Sequence, residues 1–501
     1  MSNGVIFLLL VTLLTKIVGF GREIILSSHF GTSVFSDAYL VALTITSIVT
    51  AIIGLGLATT YIPIVNGLNC TTSDSINKFT SKFINFIFIL VLSIILVYFF
   101  SPRFFISIFA YGFSPQQFDY AIDLTNIMIW SMLFSGAVSI LTGFLQNSGR
   151  FNLASISSLP LNVVVITSII IAYHFDYIYL AYGFLIGAIF QFLLILFLSK
   201  RSGFKYFMLN PIRDPHIKRA ILLAVPIVFG VSVSQVNVIV DKTIASSFSP
   251  GSISSLNYAF MITSVIHSVI VMSLVSVSFP AISKLAKHKD FTRIQDINFS
   301  ITKLIVIIIF PISSFFVIFS EEIIKIVYFR GSFDYESVLT TSSAFLFYSF
   351  GLLAIAIREV IIRVFYSFGD TKTPLYNSII CMVLNVLLSF TLSKFLGLGG
   401  IALASSISVL FACLFLWFVH NHKYGSFIDV NKVSFLIFKV ILATSLTYFV
   451  FVYTNDFIIV YTEHYFAGSL VVSSLFYILT CFVTKTLRSD DLNLSKYKPQ
   501  L

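Results

Sequence analysis

Ionisable side chains stand where the sequence is otherwise apolar. Lys16 and Arg22 lie in the apolar run that opens the chain, beside Gly19 and Gly21, and Asp37 opens the next run. A charge within hydrocarbon is costly, so it usually faces protein or a water-filled cavity and marks function. The two glycines can bend or break a helix where a cavity or protein covers the freed backbone. The alternative for Arg22 and Glu23 is that their polar heads reach the outer interface along apolar stems. Lys16, at mid-run, is harder to place that way.

Three further constellations occur. Ser232, Ser234, Gln235 and Asn237 lead to Asp241 and Lys242. Ser234, Gln235 and Asp241 fall on roughly one side of a helix, a stripe too polar to face lipid. A carboxylate among hydroxyl and amide oxygens suits a hard cation such as sodium, or a proton; the alternative is simple neutralisation of Asp241 by Lys242. Next come Arg358, Glu359 and Arg363. Glu359 and Arg363 are spaced to pair along one helix face, which leaves Arg358 free to meet an anionic ligand or another helix. An arginine fork offers phosphate two parallel donors; a structural ion pair is the alternative. Finally, Asn377, Asn385 and Ser389 interrupt an apolar run, and GLGGIALASSIS beyond it places small residues where helices approach closely.

The elements that must position these residues are membrane spans. The chain has 501 residues, 57% hydrophobic and 10% charged, with a mean hydropathy of +0.98, against about 25% charge in a soluble domain. Runs near 20 residues predict spans over 4–27, 36–65, 81–100, 121–146, 156–174, 177–198, 219–246, 253–283, 299–319, 338–366, 374–394, 399–420, 434–453 and 465–484. The expected fold is therefore all-α and integral to the membrane, with about fourteen helices. The first run lacks the basic n-region and the small-residue cleavage site of a signal peptide, so it is read as a helix.

Net charge is +10, yet its distribution argues against nucleic acid as partner. With the amino terminus in the cytoplasm, inner loops and tail hold twenty Lys and Arg and outer loops only Arg103, Lys325, Arg330 and Lys394. That is the positive-inside pattern, and it places both termini inside. Residues 27–68 and 246–286 echo one another, each running from Ser-Ser through a polar turn into a long helix closed by Pro63 or Pro280. Parallel repeats of this sort build transporters from two lobes; two merely similar apolar hairpins are the alternative. The division expected is 1–218 for the first lobe, 219–420 for the second, and 421–501 for two last helices and a tail.

Nothing in the sequence suggests an enzyme. There is no Walker loop, no dinucleotide fingerprint, no His/Cys cluster and no nucleophile elbow. Cys70, Cys381, Cys413 and Cys481 are far apart and read as small apolar residues.

Four segments carry a resemblance: TKIVGFGREIILSSHFGTSVFSDAYLVA, GVSVSQVNVIVDKTIASSFSPGSISSLNYA, FPAISKLA, and YFRGSFD followed by FYSFGDTKTP. In order and spacing they resemble the MurJ (MviN) lipid II flippases of the multidrug/oligosaccharidyl-lipid/polysaccharide exporter superfamily, over nearly the whole chain. The resemblance implies fourteen helices in two lobes around a central cavity. It implies passage of an undecaprenyl-pyrophosphate-linked sugar, the peptidoglycan precursor, from inner to outer leaflet, with basic residues on the pyrophosphate. Lys16 and Arg22 match two basic positions of the family's first helix, and Asp37 matches the acidic residue opening its second. A sodium site found in some members maps onto Asp241, Asn385, Ser389, Ile401 (through its carbonyl) and Ser405.

The sequence departs from the family pattern at paired arginines of the second helix and at an arginine after Asn-Tyr-Ala in the eighth. Thr50, Ala51 and Met261 stand near those places, and Ser389 replaces a usually acidic sodium ligand. Either Arg358 and Arg363 take over the phosphate, or the substrate is another lipid-linked oligosaccharide. The leading expectation is a monomeric lipid II flippase of the bacterial inner membrane, in contact with membrane lipids and working by alternating access. Membrane potential or a cation gradient would drive it, since one charge crossing 100 mV is worth about 2.3 kcal/mol. A cation-coupled multidrug antiporter of the same superfamily also fits the aromatic content. A non-transporting scaffold for the lipid precursor is opposed by the polar stripe ending at Asp241.

Overall fold

In a computed structural model of the chain, residues 3–67, 72–211, 214–459, 465–484 and 486 are described. Cys70, Arg213 and the basic tail beyond 486 lie outside them. The described residues form helices and connections, with no strand. In chain order these are α1 (Asn3–Phe30), α2 (Val34–Ala51), α3 (Tyr61–Asn66), α4 (Ser73–Phe100), α5 (Pro102–Phe109), α6 (Pro115–Met128) and α7 (Ser131–Asn147). Then follow α8 (Phe151–Ile156), α9 (Leu159–His174), α10 (Tyr179–Arg201), α11 (Pro215–Ala245), α12 (Ser252–Ile266) and α13 (Met272–Lys287). The last are α14 (Phe291–Ile318), α15 (Ser320–Tyr328), α16 (Tyr335–Ser367), α17 (Lys372–Tyr424), α18 (Val430–Ile459) and α19 (Tyr465–Val483).

Among the described residues, ten helices are long and apolar enough to cross a membrane, and an eleventh span results if α6 and α7, bent by 44°, count as one. The protein is a multi-pass membrane protein. The continuous helix expected over 121–146 is thus broken at Ile129–Trp130. Other predicted boundaries shift by a few residues at caps. Thr72 caps α4 by accepting from Ser75 N, and Ser114 with Gln117 forms a complete capping box on α6. The spans expected at 374–394 and 399–420 are the two arms of the 53-residue stretch α17, which meet at a kink. At about 1.5 Å per residue a straight helix of that length would far exceed a bilayer. Gly397, at φ +56°, breaks it into two arms.

The two echoing sequences share an irregularity that their residues did not announce. Both long helices relax into a π-helical turn, at Ile52–Leu57 in one and His267–Val271 in the other. Such turns widen a helix locally and recur at functional sites. The first contains Gly54 and Gly56; the second contains His267, whose Nε2 is buried with no hydrogen-bond partner.

The chain divides into two compact units. The first comprises Met1–Met261, Glu321–Ala344 and Val386–Ile401; the second comprises Ile262–Ser320, Phe345–Asn385 and Ala402–Leu501. The core of the first gathers Phe83, Ile87, Val91 and Ile95 of α4, Ile140 and Leu141 of α7, Ile195 of α10 and Ala220 of α11. Small residues let α10 approach α9: a Cβ at Gly187 would stand 3.1 Å from the Leu161 carbonyl oxygen. In the second unit Ile305 and Ile309 of α14 pack with Phe365 of α16 and Leu416 of α17. Small residues of GLGGIALASSIS serve packing there. Ser406 Oγ donates to Phe347 O at 2.6 Å, and a Cβ on Gly351 would lie 3.1 Å from Ser406 Cα. Cys381, Cys413 and Cys481 are buried free thiols.

Candidate functional site

The first unit buries a chain of charges where α1, α2, α9, α11 and α12 meet. Arg22 Nη2 pairs with Glu23 Oε1 at 2.7 Å, with side chains 16% and 2% exposed. Consecutive helical residues point about 100° apart, so this pair forms only because both heads turn into the same buried space. Arg22 Nη1 donates to Asn162 Oδ1 of α9 at 3.4 Å, and Asn257 Nδ2 of α12 donates to Glu23 Oε2 at 3.2 Å. Neither charge therefore extends alone to an interface. Lys16, two turns earlier on α1, is exposed and makes no ion pair or hydrogen bond among the described residues.

Asp37 was expected on the substrate. Instead its carboxylate, 2% exposed, is fully engaged with the start of α12. Oδ2 accepts from Gly251 N at 2.7 Å, and Oδ1 accepts from Ser254 N and Ser254 Oγ, each at 2.8 Å. The first amides of a helix have no intrahelical partner and carry the positive end of its dipole, so a carboxylate supplied by α2 satisfies both. Lys242, near the end of α11, turns to α2 as well: Nζ donates to Leu40 O at 2.9 Å and to Thr44 Oγ1. That is the use the structure gives Lys242, in place of the simple neutralisation of Asp241.

Turns from elsewhere in the chain close around this point. Ser332 N donates to Ser28 O at 2.7 Å and Ser332 Oγ to His29 O at 2.9 Å. Gly112 N donates to Ser246 Oγ at 3.0 Å. Ser28 lies in the last turn of α1 and Ser246 directly follows α11, each within the Ser-Ser pair that opens one of the two echoing sequences. Gly331 must be glycine here: its φ is +60°, and a Cβ would run into the Ser28 carbonyl. Outside the spans, Asp334 is held below the usual carboxylate range by the hydroxyl and amide of Ser337.

The oxygens mapped to a cation fall into two pairs. Ser389 Oγ donates to Asp241 Oδ1 at 3.2 Å in the first unit, which also holds the fully buried Ile401. In the second, Asn385 Nδ2 donates to Ser405 Oγ at 3.0 Å. Asn385 Oδ1 and, on α11, Asn237 Oδ1 are buried without a hydrogen-bond partner. An orphan amide oxygen is unfavourable unless something else satisfies it; the structure pairs Asp241 with Ser389 within the first unit and Asn385 with Ser405 within the second.

Arg358 meets another helix, one of the two outcomes the sequence left open. Its Nε donates to Asn377 Oδ1 at 3.0 Å and Nη2 to Ser378 Oγ at 3.2 Å, while Asn377 Nδ2 donates to Ala412 O at 2.8 Å. The guanidinium thus ties α16 to α17. Glu359 and Arg363 do not form the expected ion pair among the described residues. The Arg363 guanidinium lies 5.8 Å from the centre of the Phe279 ring, and its buried Nε has no partner.

Sequence reasoning missed Glu23, Asn162 and Asn257 as members of the buried network. Asn257 stood in plain view inside Asn-Tyr-Ala, but periodicity cannot show that its amide reaches another helix. The turn Asp370–Thr373 of FYSFGDTKTP is also structural. Asp370 accepts from Thr373 N at 3.0 Å and Thr373 Oγ1 at 2.7 Å, and Lys423 Nζ reaches it from the far end of α17 at 2.9 Å.

A many-helix membrane carrier, with buried charges at helix ends and two repeats broken at matching places, is the class that fold and site define. The profile of the family described as lipid II flippase MurJ matches residues 26–481, and the chain belongs to that family. It is 27% identical to a probable lipid II flippase MurJ of Rickettsia prowazekii over 426 residues, covering 83% of this chain and 84% of the relative. Identity to the lipid II flippase MurJ of Burkholderia cenocepacia is 25% over 418 residues, 80% of each. The fold matches a lipid II flippase MurJ in an inward closed conformation with a TM-score of 0.82 at 24% identity, over 96% of this chain and 98% of that one. It matches an inward-facing multidrug transporter of the MATE family at 0.70 and 14% identity, over 82% of this chain and 95% of that one.

Proposed function

We propose that this protein moves lipid II, an undecaprenyl-pyrophosphate-linked sugar, from the inner to the outer leaflet of the bacterial inner membrane. It is a transporter and not an enzyme. The observation that carries the reading is Arg22, a mostly buried guanidinium in a chain of the lipid II flippase family. Two of its five donors go to Glu23 and Asn162, and the others are left for a phosphate in fork geometry. Lys16, exposed in the same helix, is the second cation for the pyrophosphate. Arg358 and Arg363 supplement them, each already oriented by a neighbour. Asp37 acts at one remove, by fixing α2 to α12.

The nine long helices other than α17, the two arms of α17, the bent α6–α7 pair, and α1 and α19 together supply fourteen spans. With both termini inside, as the loop charges favour, the Asp37–α12 cap lies at the outer end. Alternating access then requires these contacts to break and reform. A sodium ion would be held by Asp241, Asn385, Ser389, Ser405 and the Ile401 carbonyl, and its charge would couple reorientation to the gradient. The protein is taken to work as a monomer, in lobes of 1–218 and 219–420 followed by 421–501.

Thr50, Ala51 and Met261, uncharged where the family carries cations, favour a second reading: a flippase for another lipid-linked oligosaccharide. The test is complementation in cells depleted of their own lipid II flippase. Wild type should restore growth, and Arg22→Ala, expressed at the same level, should not. Rescue by Arg22→Ala would remove the pyrophosphate role; failure of wild type would favour the second reading.

A further inference from the structure

The connection between α10 and α11 is not a loose loop. From Gly203 to Leu209 it runs along α4, fastened by a polar stripe at positions 77, 81 and 85, one helical face. Asn77 Nδ2 donates to Gly203 O at 3.1 Å, Phe207 N donates to Ser81 Oγ at 3.0 Å, and Asn85 Nδ2 donates to Leu209 O at 2.9 Å. Tyr206 closes the last stitch, its hydroxyl donating to Asn85 Oδ1 at 2.6 Å. Lys82 on the next face pairs with Asp214 at 2.6 Å, and Asp214 caps α11 by accepting from His216 N at 2.8 Å.

So fastened, the connection roofs a groove of about 800 Å³ whose walls come from α4, α7 and α10. Ile84, Phe88, Leu141, Phe192 and Leu196 make it apolar, and Lys200 stands in its lining. The Lys200 side chain makes no hydrogen bond or ion pair among the described residues, whereas neighbouring Arg201 lies 4.5 Å from the centre of the Phe197 ring. Lys205, two residues into the roof, is exposed.

We propose that this groove holds one acyl chain of an anionic membrane phospholipid, with the lipid phosphate against Lys200. The volume lies in the usual range for ligand sites. Lys200 ends an apolar span, which on the orientation proposed above puts it at the inner interface, where anionic lipids attract clustered Lys and Arg. An uncharged apolar occupant would leave Lys200 without a counter-charge. The substrate's own tail is a different case: the groove shares no residue with Arg22, Glu23, Asn162 or Asn257. A chain lodged under Leu209 and Met208 would also stiffen the connection that carries the cap of α11.

The full-length protein, delipidated in detergent, is titrated with phosphatidylglycerol or phosphatidylcholine in mixed micelles, and bound lipid is counted by native mass spectrometry. One phosphatidylglycerol should remain bound, in preference to phosphatidylcholine. Lys200→Gln should cut that preference about fivefold, the worth of one interfacial cation, while leaving phosphatidylcholine binding unchanged. Leu196→Trp, which fills the groove, should reduce occupancy by both lipids, and Ile89→Trp serves if that variant does not fold. Wild-type occupancy in both Trp variants, or unchanged preference in Lys200→Gln, overturns the proposal. So does one-for-one displacement of the phospholipid by undecaprenyl pyrophosphate, which would assign the groove to the substrate's tail.

Discussion

Asp37 Oδ1 accepts both the backbone amide and the hydroxyl of Ser254, each at 2.8 Å, so a carboxylate on α2 caps a helix that begins more than two hundred residues later. Charge-assisted bonds of this kind contribute about 1.5–3 kcal/mol each, and the capped amides are otherwise orphans. Asp37→Ala should therefore lower thermal stability in detergent by several degrees, while Ser254→Ala, which spares the amide bond, should cost markedly less. Equal losses in the two variants would show that the hydroxyl, not the helix end, is what Asp37 serves.

Glu23 and Arg22 are a buried pair in which removal of one partner strands the other. Glu23→Gln keeps the shape and the contact with Asn257 but leaves the guanidinium uncompensated, which costs about 3–5 kcal/mol for a buried pair. Reduced stability and lost complementation are expected together. In the Arg22→Lys variant the charge remains, yet a single ammonium cannot serve Glu23 and Asn162 in fork geometry. Complementation by Arg22→Lys should therefore be well below wild type at equal expression, which a growth assay after flippase depletion measures.

Much of this was legible in the sequence. Apolar runs mark the spans because a bilayer demands them, and Lys16, Arg22, Asp37 and Asp241 stood out because charge within such runs needs a reason. What side chains do with their charge was not legible. Spacing put Glu23 beside Arg22 and Glu359 one turn from Arg363, but only the fold decides that the first pair closes while Arg363 turns to Phe279. Asn162, Asn257 and Asn77 are neutral and common, and their partners lie on other elements. The apolar runs put a boundary between 394 and 399, yet helix propensity alone does not place a φ of +56° on one glycine among three.

Asp370 offers a pH test outside the spans. Burial pushes its carboxyl up, but the Thr373 amide, Lys423 and the Thr373 hydroxyl outweigh it and hold it below its ordinary value of 3.8. A group depressed in the folded state binds its proton less readily there than when unfolded. Its stabilisation is therefore complete above the ordinary value and is lost as pH falls through the lower folded one. Thermal unfolding of wild type followed from pH 6 down to pH 3 (roughly the window this sign implies) should lose stability that Asp370→Asn lacks throughout. Parallel curves for the two proteins would show that the Asp370–Lys423 contact contributes nothing to holding the start of α17 against its far end.

Sodium dependence separates a coupled carrier from one driven by potential alone. Asp241 supplies the one full negative charge in the proposed donor set, and the Asn385 Oδ1 orphan supplies a neutral oxygen. Hard cations are held chiefly by charge and oxygen count, so Asp241→Asn should abolish sodium binding by calorimetry. Asn385→Ala, which removes the orphan and the bond to Ser405, should weaken binding without abolishing it. Ser389 Oγ donates to Asp241 Oδ1, so Ser389→Asp adds a second carboxylate beside it and should tighten sodium binding. No sodium heat in wild type would remove the cation from the mechanism and leave membrane potential as the driving force. Heat that persists in Asp241→Asn would instead place the ion elsewhere in the protein.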